Sequence, residues 1–193
     1  IRDHCVTGVQ TCALPISSGM AVMAWSDARI DTANIIAQNV DTFGRLGDHT
    51  ATSLTYGCSV NPAGSMVVTG RPSLGGSSRL AITNPLATQA AGSLAFLVLG
   101  FGAPATYPCG LPAPGLGMAP NGIGELLIDL TTPSSSTFGG LWFGTAVSFG
   151  INIPLNPSLD GLPLFAQGAL FDTAPAATNP IGLTEGVRLV VGF

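Results

Sequence analysis

The chain has 193 residues, of which 46% are hydrophobic and only 8% are charged, whereas about a quarter of the residues are charged in a typical soluble domain. The cations are all arginines, the net charge is −4, and no run of either sign occurs; because binding to phosphates requires clustered cations, this composition argues against a nucleic-acid partner. The most apolar stretch, residues 94–101, is far shorter than the roughly 20 residues that a membrane-spanning helix needs. It therefore predicts a buried strand and no transmembrane segment.

The first stretch with a distinctive pattern is residues 6–16, VTGVQTCALPI. This unbroken string resembles the conceptual translation of a common sequencing adapter oligonucleotide. The alternative is a genuine disulfide between Cys5 and Cys12, or half of a metal site with His4, although a metal site would need further ligands at suitable spacing. We expect residues 1–17 to be artefactual or unstructured. The rest of the chain is then expected to be the C-terminal part of a longer protein.

Residues 18–47 predict a short β-hairpin. An apolar run at residues 20–25 is followed by the turn-forming string SDARIDT and by a return strand at residues 35–40. The order of an apolar strand ending in WSD, an arginine and then NIIAQNV resembles the blade repeat of secreted sialidase-like β-propellers. Because one blade buries its apolar face only against neighbouring blades, the resemblance implies a remnant of a longer array.

This hairpin contains three weak candidates for calcium ligands, Asp27, Asp31 and Asn34. Hard cations are bound by clusters of oxygen atoms in loops. The spacing departs from the EF-hand pattern, and turn formation alone explains all three residues. Turn formation is therefore a simpler explanation for these three residues than calcium binding.

Residues 48–54 are small and polar and predict a linker, and residues 55–193 predict an antiparallel β-sandwich. Four Asn-Pro pairs leave little room for helices, since the residue before a proline is pushed out of the helical region. The chain between these turns contains about seven short β-type runs. They are residues 65–69, 79–83, 94–100, 125–130, 147–153, 164–171 and 187–191. Residues 107–124 are rich in glycine and proline and predict an irregular surface loop.

Alternation predicts which side chains face the core, since successive residues of a strand point to opposite faces. In ELLIDL, residues 125–130, it places Leu126, Ile128 and Leu130 inward and Glu125 and Asp129 on a solvated face.

The same alternation applies to the last strand. In GVRLVVGF, residues 186–193, Val187, Leu189 and Val191 are predicted to point inward and Arg188 outward.

Several motifs of residues 55–193 resemble a C-terminal β domain of large secreted proteins from planctomycete-type bacteria. They are YGCSVNPAGS (56–65), NPLATQAAGSLAFL (84–97), YPCGLPAPGLGM (107–118) and PLFAQGALFD (163–172). The resemblance implies secretion and a terminal position, and it implies no established activity. An extracellular or cell-surface location is therefore expected.

Cys58 and Cys109 are the cysteines that remain after residue 17, and a pair of cysteines in a domain of secreted character predicts a disulfide. Two reduced, buried thiols are the alternative.

Residues that commonly serve in acid-base or nucleophilic catalysis near neutral pH are scarce. Residues 55–193 contain no histidine and no lysine, and a Ser-His-Asp arrangement would have to use His49 from the linker. Glu125 and Asp129, four residues apart on a strand, would lie roughly 13 Å apart, beyond the usual separation of a glycosidase pair. We therefore expect no enzyme activity and no cofactor.

Trp142, in the string LWF, has two interpretations. An apolar context favours a core position. An exposed indole would instead provide the sugar-stacking platform of a carbohydrate-binding module.

These observations lead to one functional expectation. The chain is expected to be a non-catalytic, secreted, C-terminal β-sandwich domain for surface display, attachment or assembly. Its expected partners are the upstream domains of the parent protein, or further copies of itself in an oligomer or a filament. A carbohydrate-binding module and a fragment of a sialidase-like glycosidase are the alternatives.

Overall fold

The computed structural model describes residues 11–15, 21–27, 34–40, 49–119, 122–131, 136–174 and 179–192. These residues form thirteen strands and one short 3-10 helix, Pro157–Leu159, and contain no α-helix. This confirms the predicted all-β class. None of the helical structure in the described ranges is long and apolar enough to cross a membrane.

The first three strands form an antiparallel sheet in the order β1-β2-β3. Their bounds are β1 (Thr11–Pro15), β2 (Ala21–Asp27) and β3 (Asn34–Val40). Strands β2 and β3 pair as the predicted hairpin. Strand β1 lies inside the segment that the adapter resemblance set aside, and it pairs with β2.

Ten further strands follow, against about seven predicted. They are β4 (Thr52–Tyr56), β5 (Met66–Thr69), β6 (Ser77–Ile82), β7 (Ser93–Gly100), β8 (Leu111–Pro114), β9 (Ile123–Leu126), β10 (Ser136–Trp142), β11 (Val147–Asn152), β12 (Pro163–Phe171) and β13 (Ile181–Val190). A five-stranded sheet has the order β10-β7-β12-β13-β4, and a three-stranded sheet has the order β11-β6-β5. Strands β8 and β9 form a separate two-stranded hairpin, and all the pairings between these strands are antiparallel.

Three of the ten strands were not predicted, and each lacks a strong apolar pattern. Strand β4 overlaps the predicted linker, and four of its five residues are exposed. Strand β8 contains two prolines and lies in the predicted irregular loop. Strand β10 contains the pair Gly139-Gly140. Edge positions explain all three, because a strand paired on one side needs less apolar surface and tolerates proline.

The main core lies between the five-stranded and the three-stranded sheets. Its fully buried members include Leu80 and Ile82 from β6, Leu97 from β7 and Leu189 from β13. The side chains of Val187, Leu189 and Val191 are buried, which confirms the predicted inward face of this strand.

A second apolar cluster covers part of the other face of the five-stranded sheet. Phe165 belongs to it, whereas its neighbours Leu164 and Ala166 belong to the main core, so Phe165 points to the opposite face. Leu127 and Ile128 pack against Phe165 from the segment after β9. The hairpin and the residues that follow it therefore form a third layer over the sheet.

The predicted alternation in residues 125–130 is correct for Ile128 but wrong for Glu125 and Leu130. Strand β9 ends at Leu126, so the period of two does not continue. Leu127 and Ile128 are both buried, Glu125 is buried, and Leu130 is 54% exposed. The physical reason is that this segment lies on top of a sheet as a third layer instead of running within it.

Candidate functional site

Cys58 and Cys109 form a disulfide, as predicted, with their Cα atoms 5.0 Å apart. The bridge joins the segment that follows β4 to the segment that precedes β8. Cys58 is exposed and Cys109 is half-buried, so solvent reaches the bridge from one side.

The carboxylate of Glu125 lies beside this bridge, and the prediction that Glu125 occupies a solvated strand face is wrong. The residue is only 3% exposed. The N–H group of Cys58 donates to its Oε2 at 2.9 Å, and the N–H group of Gly110 donates to its Oε1 at 2.6 Å. These backbone donors replace water, which allows a carboxylate to be buried here.

The position of Gly110 brings its backbone into close contact with this carboxylate. A Cβ atom at residue 110 would lie 2.3 Å from the carbonyl oxygen of Leu126 and 2.6 Å from Cγ of Glu125. A side chain of any size at this position would push the strand and the carboxylate apart.

We therefore expect Gly110→Ala to lower the free energy of unfolding by about 1–3 kcal/mol, the usual cost of overpacking a well-packed site. Urea denaturation measures the change. Gly150→Ala is the matched control, because a Cβ atom there has no neighbour within 4 Å and no positive φ. Equal stability of the two variants would contradict the tight contact at Gly110.

Two buried amide side chains hold β9 against β13. The Nδ2 group of Asn61 donates to the carbonyl oxygens of Glu125 and Thr184, both at 2.7 Å. The Nε2 group of Gln167 donates to the same two oxygens at 2.7 and 2.9 Å. In return, the N–H groups of Glu125 and Leu127 donate to Asn61 Oδ1 and Gln167 Oε1. The amides therefore provide the hydrogen bonds that a neighbouring strand would otherwise provide.

Tyr56 closes one side of the site. Its hydroxyl group donates a hydrogen bond to the carbonyl oxygen of Leu127. Burial raises the pKa of this phenol well above its usual value, and the nearby Tyr107 raises it further. The phenol therefore stays protonated and keeps donating. Its ring lies 5.1 Å from that of Tyr107 and 6.1 Å from that of Phe165, measured between centroids.

A cavity of about 290 Å³ opens beside these groups. Its wall includes Tyr56, Asn61, Glu125 and Glu185. The N–H group of Gly64 donates to Oε2 of Glu185 at 2.6 Å, which fixes the second carboxylate. The volume is at the lower end of the range of ligand pockets, about 300–1,000 Å³, so the cavity accommodates only a small group.

Asp129 does not line this cavity and accepts local hydrogen bonds instead. The hydroxyl group and the N–H group of Thr131 donate to its Oδ1 at 2.7 and 2.8 Å. The hydroxyl bond, followed by the backbone bond, lowers the pKa of Asp129. These two bonds stabilise the turn at residues 129–131.

Trp142 is only 7% exposed and belongs to the main core. The interpretation as an exposed sugar-stacking platform is therefore wrong. In β10 its side chain alternates to the inner face, whereas the next residue, Phe143, lies beyond the strand and is 68% exposed.

The calcium candidates remain a prediction. Asp27 and Asn34 are directly opposite each other in the pairing of β2 with β3. Asp31 lies outside the described residues, as do Cys5 and His4.

Sequence reasoning missed one polar pair that the fold brings together. Nδ1 of His49 lies 2.9 Å from Oδ2 of Asp160, a residue 111 positions away that is buried. The imidazole lies against Gly161, where a Cβ atom would be 2.7 Å from Cε1 of His49. Two isolated titratable residues so distant in sequence carry no local signal, and their contact anchors the chain before β4 to the loop before β12.

No known protein family, characterised protein or solved structure matches this chain. The resemblance to planctomycete-type C-terminal domains and to propeller blades therefore stays a prediction from the sequence motifs.

Proposed function

We propose that the sandwich is a non-catalytic, extracellular structural domain that associates with further copies of itself through its sheet edges. One observation carries the proposal. All four edge strands of the two sandwich sheets, β4, β5, β10 and β11, contain no charged residue and no proline. The charges within these sheets lie on inner strands, with Arg79 on β6 and Glu185 and Arg188 on β13. Proteins that avoid edge-to-edge pairing with other molecules usually carry charged residues or proline on their edge strands.

Strand β10 is the longest of the four edges, with seven residues. Within the described part of the chain it pairs with β7 alone, so its other side presents backbone donors and acceptors. Six of its residues are exposed or half-buried. A strand from a second copy would satisfy these backbone groups by strand addition.

An apolar surface adjoins this edge on the outer face of the five-stranded sheet. The register places Leu141 beside Leu94 and Leu94 beside Phe171, and it places Phe96 beside Ala169. We call these five residues the outer patch. Leu141 is 52% exposed and Phe171 is 37% exposed. The patch carries no charge, so a second apolar surface is its best chemical match.

Three further observations support the remaining parts of the proposal. The Cys58–Cys109 disulfide favours an oxidising compartment, in which such bonds persist. The sequence motifs favour secretion. The absence of histidine and lysine from residues 55–193 favours a role without acid-base or nucleophilic chemistry.

Leu141→Lys tests this proposal. Sedimentation velocity is expected to show concentration-dependent oligomers for the unaltered chain and at least about tenfold weaker association for the variant. The reason is that a lysine at this edge must lose its water when a second copy docks.

Leu130→Lys is the matched control, because Leu130 is 54% exposed but lies outside the sheet edges. It is expected to leave association unchanged. A chain that is monomeric at every concentration, or two lysine variants that behave alike, would overturn the proposal.

A further inference from the structure

We propose that reduction of the Cys58–Cys109 disulfide creates a binding site for a thiophilic divalent cation such as Zn²⁺, with Cys58, Cys109 and Glu125 as its ligands. The two sulfur atoms and a carboxylate oxygen of Glu125 all lie within 4.8 Å of one another. In tetrahedral zinc sites, with Zn–S of about 2.3 Å and Zn–O of about 2.1 Å, ligand atoms are about 3.5–3.8 Å apart. After reduction, a small movement of the two sulfur atoms is therefore enough to bring them to the separation that a zinc site requires.

Hydrogen bonds already hold this carboxylate beside the two sulfur atoms. The N–H groups of Cys58 and Gly110 fix its two oxygens, and each carboxylate oxygen keeps a further lone pair. Hydrogen bonds of this kind hold the ligands of natural metal sites in place. The amides of Asn61 and Gln167 both donate to the backbone carbonyl oxygen of Glu125, so the backbone that carries this ligand is fixed.

The site also has a route to solvent. Glu125 is buried, Cys109 is half-buried and Cys58 is exposed. A cation can enter from the side of Cys58, and water can occupy the fourth coordination position. Three protein ligands with a water molecule is a common zinc arrangement.

The chemistry balances in two steps. A dithiol gives two electrons and two protons to the disulfide, so the S–S bond breaks, two cysteine thiols form and the dithiol becomes a disulfide. The cation then displaces the two thiol protons and forms two metal–sulfur bonds. The metal restores a cross-link between the segments that follow β4 and precede β8, which the reduction removed.

The experiment uses the full chain with Cys5→Ser and Cys12→Ser, so that Cys58 and Cys109 are the only thiols. The protein is reduced with dithiothreitol, freed of it by anaerobic gel filtration and titrated with Cd²⁺, whose thiolate charge-transfer band reports metal–sulfur bonds. We expect one equivalent to bind the reduced chain and none to bind the oxidised chain.

Glu125→Gln should weaken binding by at least about tenfold, because even the loss of a residue that only hydrogen-bonds to a metal ligand weakens binding by about 10–100-fold. Glu185→Gln is the matched control, because it removes the other carboxylate of the adjacent cavity, and it should leave the affinity unchanged. The absence of a band, or equal affinities of Glu125→Gln and the unaltered site, would overturn the proposal.

A second measurement covers the folding of the reduced chain. Zn²⁺ should raise the Tm of the reduced chain and leave that of the oxidised chain unchanged, and a reduced chain that unfolds should regain its near-UV circular dichroism when Zn²⁺ is added. A reduced chain that gains neither stability nor structure with Zn²⁺ would contradict the site.

Discussion

Replacing both Cys58 and Cys109 with serine is expected to lower the free energy of unfolding by about 4 kcal/mol. The disulfide joins residues 51 positions apart, and closing a loop of that length removes much of the conformational freedom of the unfolded chain. Urea denaturation without reductant measures the loss.

The reduced, unaltered chain in a metal-free buffer is the control for this substitution. It should unfold at the same urea concentration as the double serine variant, because both lack the cross-link and keep the backbone donors to Glu125. A loss below about 1 kcal/mol would show that the bridge contributes little to stability, contrary to the chain-entropy argument.

Trp142→Ala is expected to lower the free energy of unfolding by about 3–5 kcal/mol, the usual cost of truncating a large buried aromatic side chain. The indole is 7% exposed and lies in the main core, so its removal leaves a cavity between the sheets. Thermal or urea denaturation followed by circular dichroism measures the change.

The adjacent Phe143 offers a matched control, since it is an aromatic residue of the same segment that is 68% exposed. Phe143→Ala should change stability by less than about 0.5 kcal/mol. A Trp142→Ala variant as stable as Phe143→Ala would contradict the core position of the indole and reopen its assignment to a binding surface.

The strands that the sequence predicted are those with strong apolar runs. Strands β7, β12 and β13 occupy the middle of the five-stranded sheet and bury residues on one or both faces. Their apolar runs identified β7, β12 and the end of β13 from residue 187, whereas the first six residues of β13 were not predicted. Strands β4 and β10 lie at the edges of the same sheet and were missed. Their pairing comes from neighbours distant in sequence, and a half-exposed edge needs no apolar periodicity.

Glu125 shows why the candidate site was less predictable than the fold. The neighbouring residues in the sequence, GELLID, follow the pattern of a surface strand with one solvent-exposed face. The burial of its carboxylate depends on an N–H group 67 residues away at Cys58 and on another 15 residues away at Gly110. A local pattern contains no information about donors that only the folded chain brings together.

Composition and turn residues by themselves determined the all-β class, because it depends on backbone preferences. The disulfide was predicted from the two cysteines that remain once residues 1–17 are set aside. The tertiary structure decided that a carboxylate lies beside that disulfide, that the indole is buried, and that the uncharged strands are at the sheet edges. Each of these depends on strand order and layering, which arise from contacts between segments far apart in the chain.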